Sequence, residues 1–304
     1  MVREEHVSQT RFGVVAVVGR PNVGKSTLVN RLIGERLCIT ASRPQTTRHR
    51  ILGIVTDGDL QIAFVDTPGL HGNVRRQLNR SLNRAATAAI TGVDVALFVV
   101  GAGRWDDDDA LVRDRLREAG VPVIGVVNQV DRIKDKKTLL PFLESFSGQL
   151  DMEAVVPLSA WTGDNVDGLW SELRERIPEG EHQFEADDLT DRDERFLAAE
   201  LIREQLTRRM GQEVPYALTV SIDRFEAMED GRTGIDAIIW VEREGQKAIV
   251  IGRSGESLKA VGSSARQAMQ RLFGTGIHLE LWVKVRADWS DDARALRQFG
   301  YETE

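Results

Sequence analysis

The apolar positions of this chain change their rhythm part of the way along it. Residues 14–18, 51–55, 60–65, 93–100, 121–127 and 154–158 form short, nearly unbroken apolar runs with little alternation, the pattern of strands buried on both faces. Between them, Leu28, Val29, Leu32 and Ile33, then residues 111–119 and 170–177, recur with helical spacing. Strands alternating with helices predict an α/β, doubly wound and mostly parallel sheet over residues 11–180. Residues 177–188 hold Pro, Gly and five acidic side chains with almost no apolar period, so the linker is placed at 181–189. Beyond it Phe196, Leu197, Ala199, Leu201, Ile202 and Leu206 predict a helix, residues 216–222 and 234–241 an antiparallel strand pair, 256–273 a helix and 277–285 a strand. Periodicity leaves 247–251 open between strand and helix. The result is an α+β second domain over 190–288 with a helical tail, helix at 291–299, over 289–304.

Composition narrows the class. At 304 residues and 41% hydrophobic content, the chain is long enough for two cores. No run of eighteen apolar residues exists and the first residues are polar, with Glu4 and Glu5, so neither a signal peptide nor a spanning helix is expected and a cytoplasmic location is. Cys38 is the only cysteine, which excludes an internal disulfide and a multi-cysteine metal site. A net charge of −7 excludes indiscriminate nucleic-acid binding by the whole surface. Between Arg243 and Arg286, however, eight Lys and Arg stand against three Glu, a local excess of about +5.

The chemistry begins where the first strand ends. Gly19-Arg20-Pro21-Asn22-Val23-Gly24-Lys25-Ser26-Thr27 matches G-x-x-x-x-G-K-[ST] between a strand and a helix, the context that motif requires. Glycines let backbone N–H groups wrap phosphate oxygens, the helix N-terminus adds its dipole, Lys25 reaches the β and γ oxygens, and the Ser26 hydroxyl ligates Mg²⁺. Thr46 and Thr47, in the polar stretch after the first helix, are candidates for the hydroxyl that completes the Mg²⁺ shell, with Thr47 favoured. The third apolar run leads into Asp66-Thr67-Pro68-Gly69, where Asp66 would organise the metal and the Gly69 N–H would sense the γ-phosphate, making 70–82 a second switch. Lys25, Thr47 and Gly69 are the expected catalytic groups. Leu70 occupies the place where Ras-type GTPases carry a water-orienting glutamine, so slow hydrolysis is expected; His71 reads as a plain loop histidine. The acidic run 106–109 reads as a solvated loop or helix start.

Two later strand ends look like base-reading loops. Asn128-Gln129-Val130-Asp131 places a carboxylate that can accept both guanine N1–H and the exocyclic amine, which adenine cannot match. Asn128 would tie this loop to the phosphate loop, and the N–H of Ala160, after Ser159, would bind guanine O6. In the second domain Gly252-Arg253-Ser254-Gly255 is a G-x-x-G turn before a helix, the device by which KH domains press backbone and a cation against a single-stranded nucleic-acid backbone. Lys247 and Lys259 flank it.

With GRPNVGKST, QTTRHR, DTPGLH, TDRDERFLAAELIREQL, EVPYALTV, GIHLELWVKV and ADWSDDARALRQFGY in hand, the chain resembles the Era family of bacterial GTPases over nearly its whole length. The resemblance implies a P-loop GTPase domain joined to a type II KH domain that binds the 3′ end of small-subunit (16S) ribosomal RNA in 30S subunit maturation, GTP favouring the RNA-binding state. It also implies peripheral membrane association; the chain is expected to be a monomer. Asn22 matches a position where related GTPases lacking the catalytic glutamine hold K⁺. Gln129 stands where the family usually has lysine, whose stem covers the guanine face and whose ammonium braces the phosphate loop, and the G-x-x-G turn keeps Arg253 as its only cation. Two other readings stay open: an RNA-binding module with a structural nucleotide, and a signalling GTPase whose second domain contacts protein or membrane.

Overall fold

The computed structural model describes residues 10–41, 43, 46–70, 76–211 and 214–301, so His71 lies outside them. The chain forms two compact units.

The first is organised around a sheet of six strands: β1 (Arg11–Val18), β2 (Ile51–Asp57), β3 (Leu60–Asp66), β4 (Val95–Gly101), β5 (Val123–Asn128) and β6 (Ala154–Pro157). Their order is β2-β3-β1-β4-β5-β6; β2 runs antiparallel to β3 and every other pair is parallel. Both faces of β4 and β5 are buried along their full length, which is why these strands read as unbroken apolar runs. Register places Val17 beside Asp66 and Gly101 beside Asn128, so the loops that follow β1, β3, β4 and β5 emerge along one carboxyl edge. Helices α1 (Lys25–Ile33), α2 (Gln77–Ala88), α3 (Asp107–Ala119), α4 (Leu139–Ser147) and α5 (Val166–Arg176) connect them. α3 begins four residues earlier than the expected 111, because Asp106 and Asp109 form a capping box. α4 has no counterpart among the expected elements, and part of the expected second switch, 77–82, is helical. The acidic linker is held rather than loose: the fully buried Gln61 accepts from the Gln183 and Phe184 amides at 2.8 and 3.0 Å, and Phe184 packs on Phe12.

The second unit follows α6 (Glu194–Arg209), β7 (Leu218–Ala227), β8 (Thr233–Val241), α7 (Glu244–Ile251), α8 (Glu256–Phe273), β9 (Ile277–Val285) and α9 (Ala293–Gln298). β7 pairs antiparallel with β8, and β9 parallel with β8. Residues 247–251 are helix. Residues 214–217 form a short 3₁₀ turn, so the expected strand at 216 starts at Leu218. The tail helix contracts to 293–298 behind a 3₁₀ turn at Trp289–Asp291. The core joins Leu201, Ile202 and Leu206 of α6 to Ile235, Ile239, Val261 and Met269.

This unit also includes the described residues of Ile39–Arg48 and Asn73–Leu82. The apolar face of α6 meets the core, and its buried polar side chains Glu200, Arg203 and Glu204 hold the first of these segments. Glu204 Oε1 accepts the Thr40 amide at 2.9 Å, Arg208 Nε donates to the Thr40 carbonyl at 3.0 Å, and Arg203 donates to the Thr46 carbonyl. Arg48 donates to the Leu218 and Pro215 carbonyls at 2.7 and 2.6 Å. Burial pulls the Arg48 pKa below the ordinary guanidinium value. Burial also works against charge on Arg203, but the adjacent Glu200 outweighs it and holds the guanidinium above its ordinary value.

Candidate functional site

The phosphate loop is shaped by backbone that only certain residues tolerate. Gly24 has φ 96°, and a Cβ there would sit 2.4 Å from Asn128 Nδ2. Lys25 is buried; its Nζ donates to the Gly19 and Arg20 carbonyls at 3.0 and 3.1 Å. Burial lowers its pKa to about 8, against the pull of Asp66. Arg20 is anchored from α3: its Nε lies 2.9 Å from Asp109 Oδ2 and 3.3 Å from Asp106 Oδ2. Asp109 has no exposed surface, so the acidic run is not simply solvated; it bears the strut of the phosphate loop, and burial raises the Asp109 pKa despite Arg20.

β3 delivers the second set. Ser26 Oγ donates to Asp66 Oδ2 at 2.7 Å, and Asp66 is fully buried. A hydroxyl and a carboxylate so placed are hard oxygen donors that fit Mg²⁺. Thr67 Oγ1 donates to the Val17 carbonyl at 2.9 Å, and Pro68 is buried behind it. Gly69 abuts the phosphate loop: a Cβ there would meet the Pro21 nitrogen at 2.6 Å, so a side chain is excluded at this position. Leu70 turns into the core with Val18 and Phe98. Thr47 is buried within the segment that counts with the second unit.

Asn128 joins three loops. Its Nδ2 donates to the Val23 carbonyl at 2.8 Å, and its Oδ1 accepts from the Gln129 and Ala160 amides at 2.8 and 2.9 Å. The Ala160 N–H, expected to face guanine O6, is therefore engaged by Asn128. Gln129, at φ 68°, sends its side-chain amide to the Asn22 carbonyl at 3.1 Å, bracing the exposed, left-handed Asn22 as a lysine ammonium would. Ser159 Oγ donates to Asp131 Oδ1 at 2.6 Å and orients that carboxylate. An open depression of about 330 Å³ follows, lined by Gly24, Thr27, Asn128, Gln129, Asp131, Arg132, Ala160 and Trp161. Thr27 thus lines this depression. The sequence reading missed Arg31, whose guanidinium donates to the Ala160 and Trp161 carbonyls at 3.1 and 2.6 Å.

In the second unit the Gly252–Gly255 turn links α7 to α8. Gly252 has φ 75°, and a Cβ would lie 2.6 Å from that of Ser257; Ser254 and Gly255 are left-handed at φ 51° and 80°. Space around Gly255 is open, and Arg253, Ser254 and Lys259 are exposed. Lys247 lies 3.9 Å from Glu244. The turn thus offers bare backbone and two exposed cations, while Lys247 sits on α7, one turn ahead.

Residues 14–129 match the profile of the family described as 50S ribosome-binding GTPase, and residues 213–290 that of the KH domain. The chain is 54% identical to GTPase Era of Xanthomonas axonopodis pv. citri, over 98% of this chain and 99% of that one. It is 53% identical to GTPase Era of Stenotrophomonas maltophilia, over 95% and 97%. Among solved structures it resembles Aquifex aeolicus Era Y63A bound to GDP·AlF₄⁻, with a TM-score of 0.93 and 36% identity, and Era in complex with MgGDPNP and nucleotides 1506–1542 of 16S ribosomal RNA, with a TM-score of 0.92 and 36% identity. Each alignment covers 96% of this chain and 99% of the other.

Proposed function

The chain belongs to the Era family of GTPases, and on that premise we propose that it is a slowly hydrolysing switch whose KH domain binds the 3′ end of small-subunit ribosomal RNA while the 30S subunit matures. The observation that carries the reading is the pairing, in one chain, of a depression lined by Asp131 and tied by Asn128 to the loop after β1 with an exposed Gly252–Gly255 turn flanked by cations. A relative bound to such an RNA and a GTP analogue supports it.

In this reading Gly19 to Thr27 wrap the phosphates, Lys25 neutralises the β and γ oxygens, and Asp131 accepts from the guanine edge. Ser26 and Asp66 would hold Mg²⁺, which would supply charge neutralisation on the phosphates when bound. The Gly69 N–H reports the γ-phosphate. With the Leu70 side chain in the core, positioning of the attacking water falls to groups other than a residue-70 side chain, and a K⁺ ion on Asn22 is the proposed supplement. Arg253, Lys259 and Lys247 meet RNA phosphates, and backbone at Gly252, Ser254 and Gly255 allows close approach.

The test is binding of a labelled RNA from the small-subunit 3′ end to protein loaded with a non-hydrolysable GTP analogue or with GDP. Tighter binding with the analogue is expected; no RNA binding in either state would overturn the proposal. Phosphate release should be faster in K⁺ than in Na⁺, and Asn22→Ala should remove the difference.

A further inference from the structure

Trp161 is 78% exposed, more than any other large hydrophobic side chain among the described residues, and it lines the base pocket. An indole left in water at the rim of a cavity forgoes the burial that a residue of its size ordinarily finds. Its backbone is not loose. Arg31 holds the carbonyls of both Ala160 and Trp161, and the Ala160 amide is fixed to Asn128, so the residue is presented from a loop clamped on both sides. The pocket already has an edge reader, Asp131, and a brace, Gln129, whose stem is short and whose amide is spent on Asn22. A planar group to cover the flat face of the base is what remains to be supplied, and a purine is the ligand whose face an indole matches.

We infer that Trp161 stacks on the guanine ring of the bound nucleotide and supplies the face contact that the Gln129 stem only partly provides. The inference rests on the assignment of Asp131 to the guanine edge. Stacking contacts the π-face, which all purines share, so Trp161 sets how tightly a nucleotide is held and Asp131 sets which one. The indole is buried only when the base is present.

GDP titration with tryptophan emission and calorimetry tests this. GDP should quench the emission of the unaltered protein saturably, and Trp161→Phe should abolish most of the quench while keeping affinity within about threefold. Trp161→Ala should weaken GDP and inosine diphosphate by the same factor, about tenfold, the range of base–aromatic stacking. A quench that persists in Trp161→Phe, or Trp161→Ala binding GDP within twofold of the unaltered protein, would overturn the inference. Asp131→Asn is the separate check on the pocket: it should shift preference from guanine to xanthine diphosphate, and if it does not, the pocket assignment itself falls.

Discussion

Replacing Arg203 by Met removes a guanidinium that is 2% exposed beside a Glu200 carboxylate that is 5% exposed. The two are joined by hydrogen bonds of 2.7 and 2.6 Å, and the same guanidinium holds the Thr46 carbonyl. Met keeps most of the volume, so the loss is one of charge and hydrogen bonding. Breaking a buried pair from one side leaves the Glu200 carboxylate buried without the guanidinium that holds both its oxygens, which costs about 3–5 kcal/mol. At about 2–4 °C per kcal/mol for units of this size, the melting transition of the second unit should fall by about 6–20 °C. Glu200→Gln together with Arg203→Met removes both charges and leaves chiefly the loss of hydrogen bonds, so the double variant should lose about 1–2 kcal/mol. Differential scanning calorimetry of the four proteins closes the cycle, with an expected coupling of at least about 2 kcal/mol. A single-variant cost below about 1 kcal/mol, or a double variant as costly as the sum of the singles, would refute the reasoning.

Lys25, with its pKa at about 8, must be protonated to meet phosphate. Phosphate raises that pKa, so GDP affinity is full below pH 8 and falls as pH rises through it, by roughly tenfold between pH 7 and 9, while Lys25→Arg stays flat over the same titration. Gln129→Ala should weaken GDP by about two- to tenfold, the worth of one hydrogen bond to Asn22, as read by calorimetry; unchanged affinity would mean that the brace is idle. Arg253→Ala with Lys259→Ala should lower the slope of log affinity for RNA against log salt by about 1.4, since each single-strand phosphate contact contributes about 0.7. Gly255→Asp should abolish RNA binding and leave GDP binding intact, because it adds a carboxylate and a strained left-handed side chain at the turn.

The parallel strands and the phosphate loop were legible because both depend on local pattern: unbroken apolar runs for β4 and β5, and a motif whose strand-to-helix context can be checked by eye. Helix α4 was not. Leu139-Leu140-Pro141 reads as a break, yet proline in a first turn lacks only a donor that has no helical partner there. Residues 247–251 became readable only through Gln246, which accepts the Glu242 and Arg243 amides at 2.9 and 3.1 Å and so starts α7 upstream of the apolar stretch. The acidic run 106–109 could not reveal which carboxylate turns inward, since Asp109 is selected by Arg20, 89 residues away. Glu200, Arg203 and Glu204 look like surface pairs on a helix, and their burial depends on Thr40 and Thr46. Arg31 carries no motif at all; its role appears once its two carbonyl acceptors are placed.

The assignment of Ile39–Arg48 and Asn73–Leu82 to the second unit has a consequence for how this protein can be taken apart. The backbone passes from one unit to the other five times, and only the last passage is the acidic linker. A gene cut at that linker divides the sequence in two without dividing the bodies. A fragment beginning near residue 190 would lack Leu78 and Leu82, which pack in one cluster with Trp289 and Tyr301, and would lack the Thr40 and Thr46 groups that Glu204 and Arg203 hold. The KH domain here is no interchangeable cassette: part of its packing is encoded in the GTPase half of the gene, and exchanging it between relatives would mean carrying two short inserts along with it.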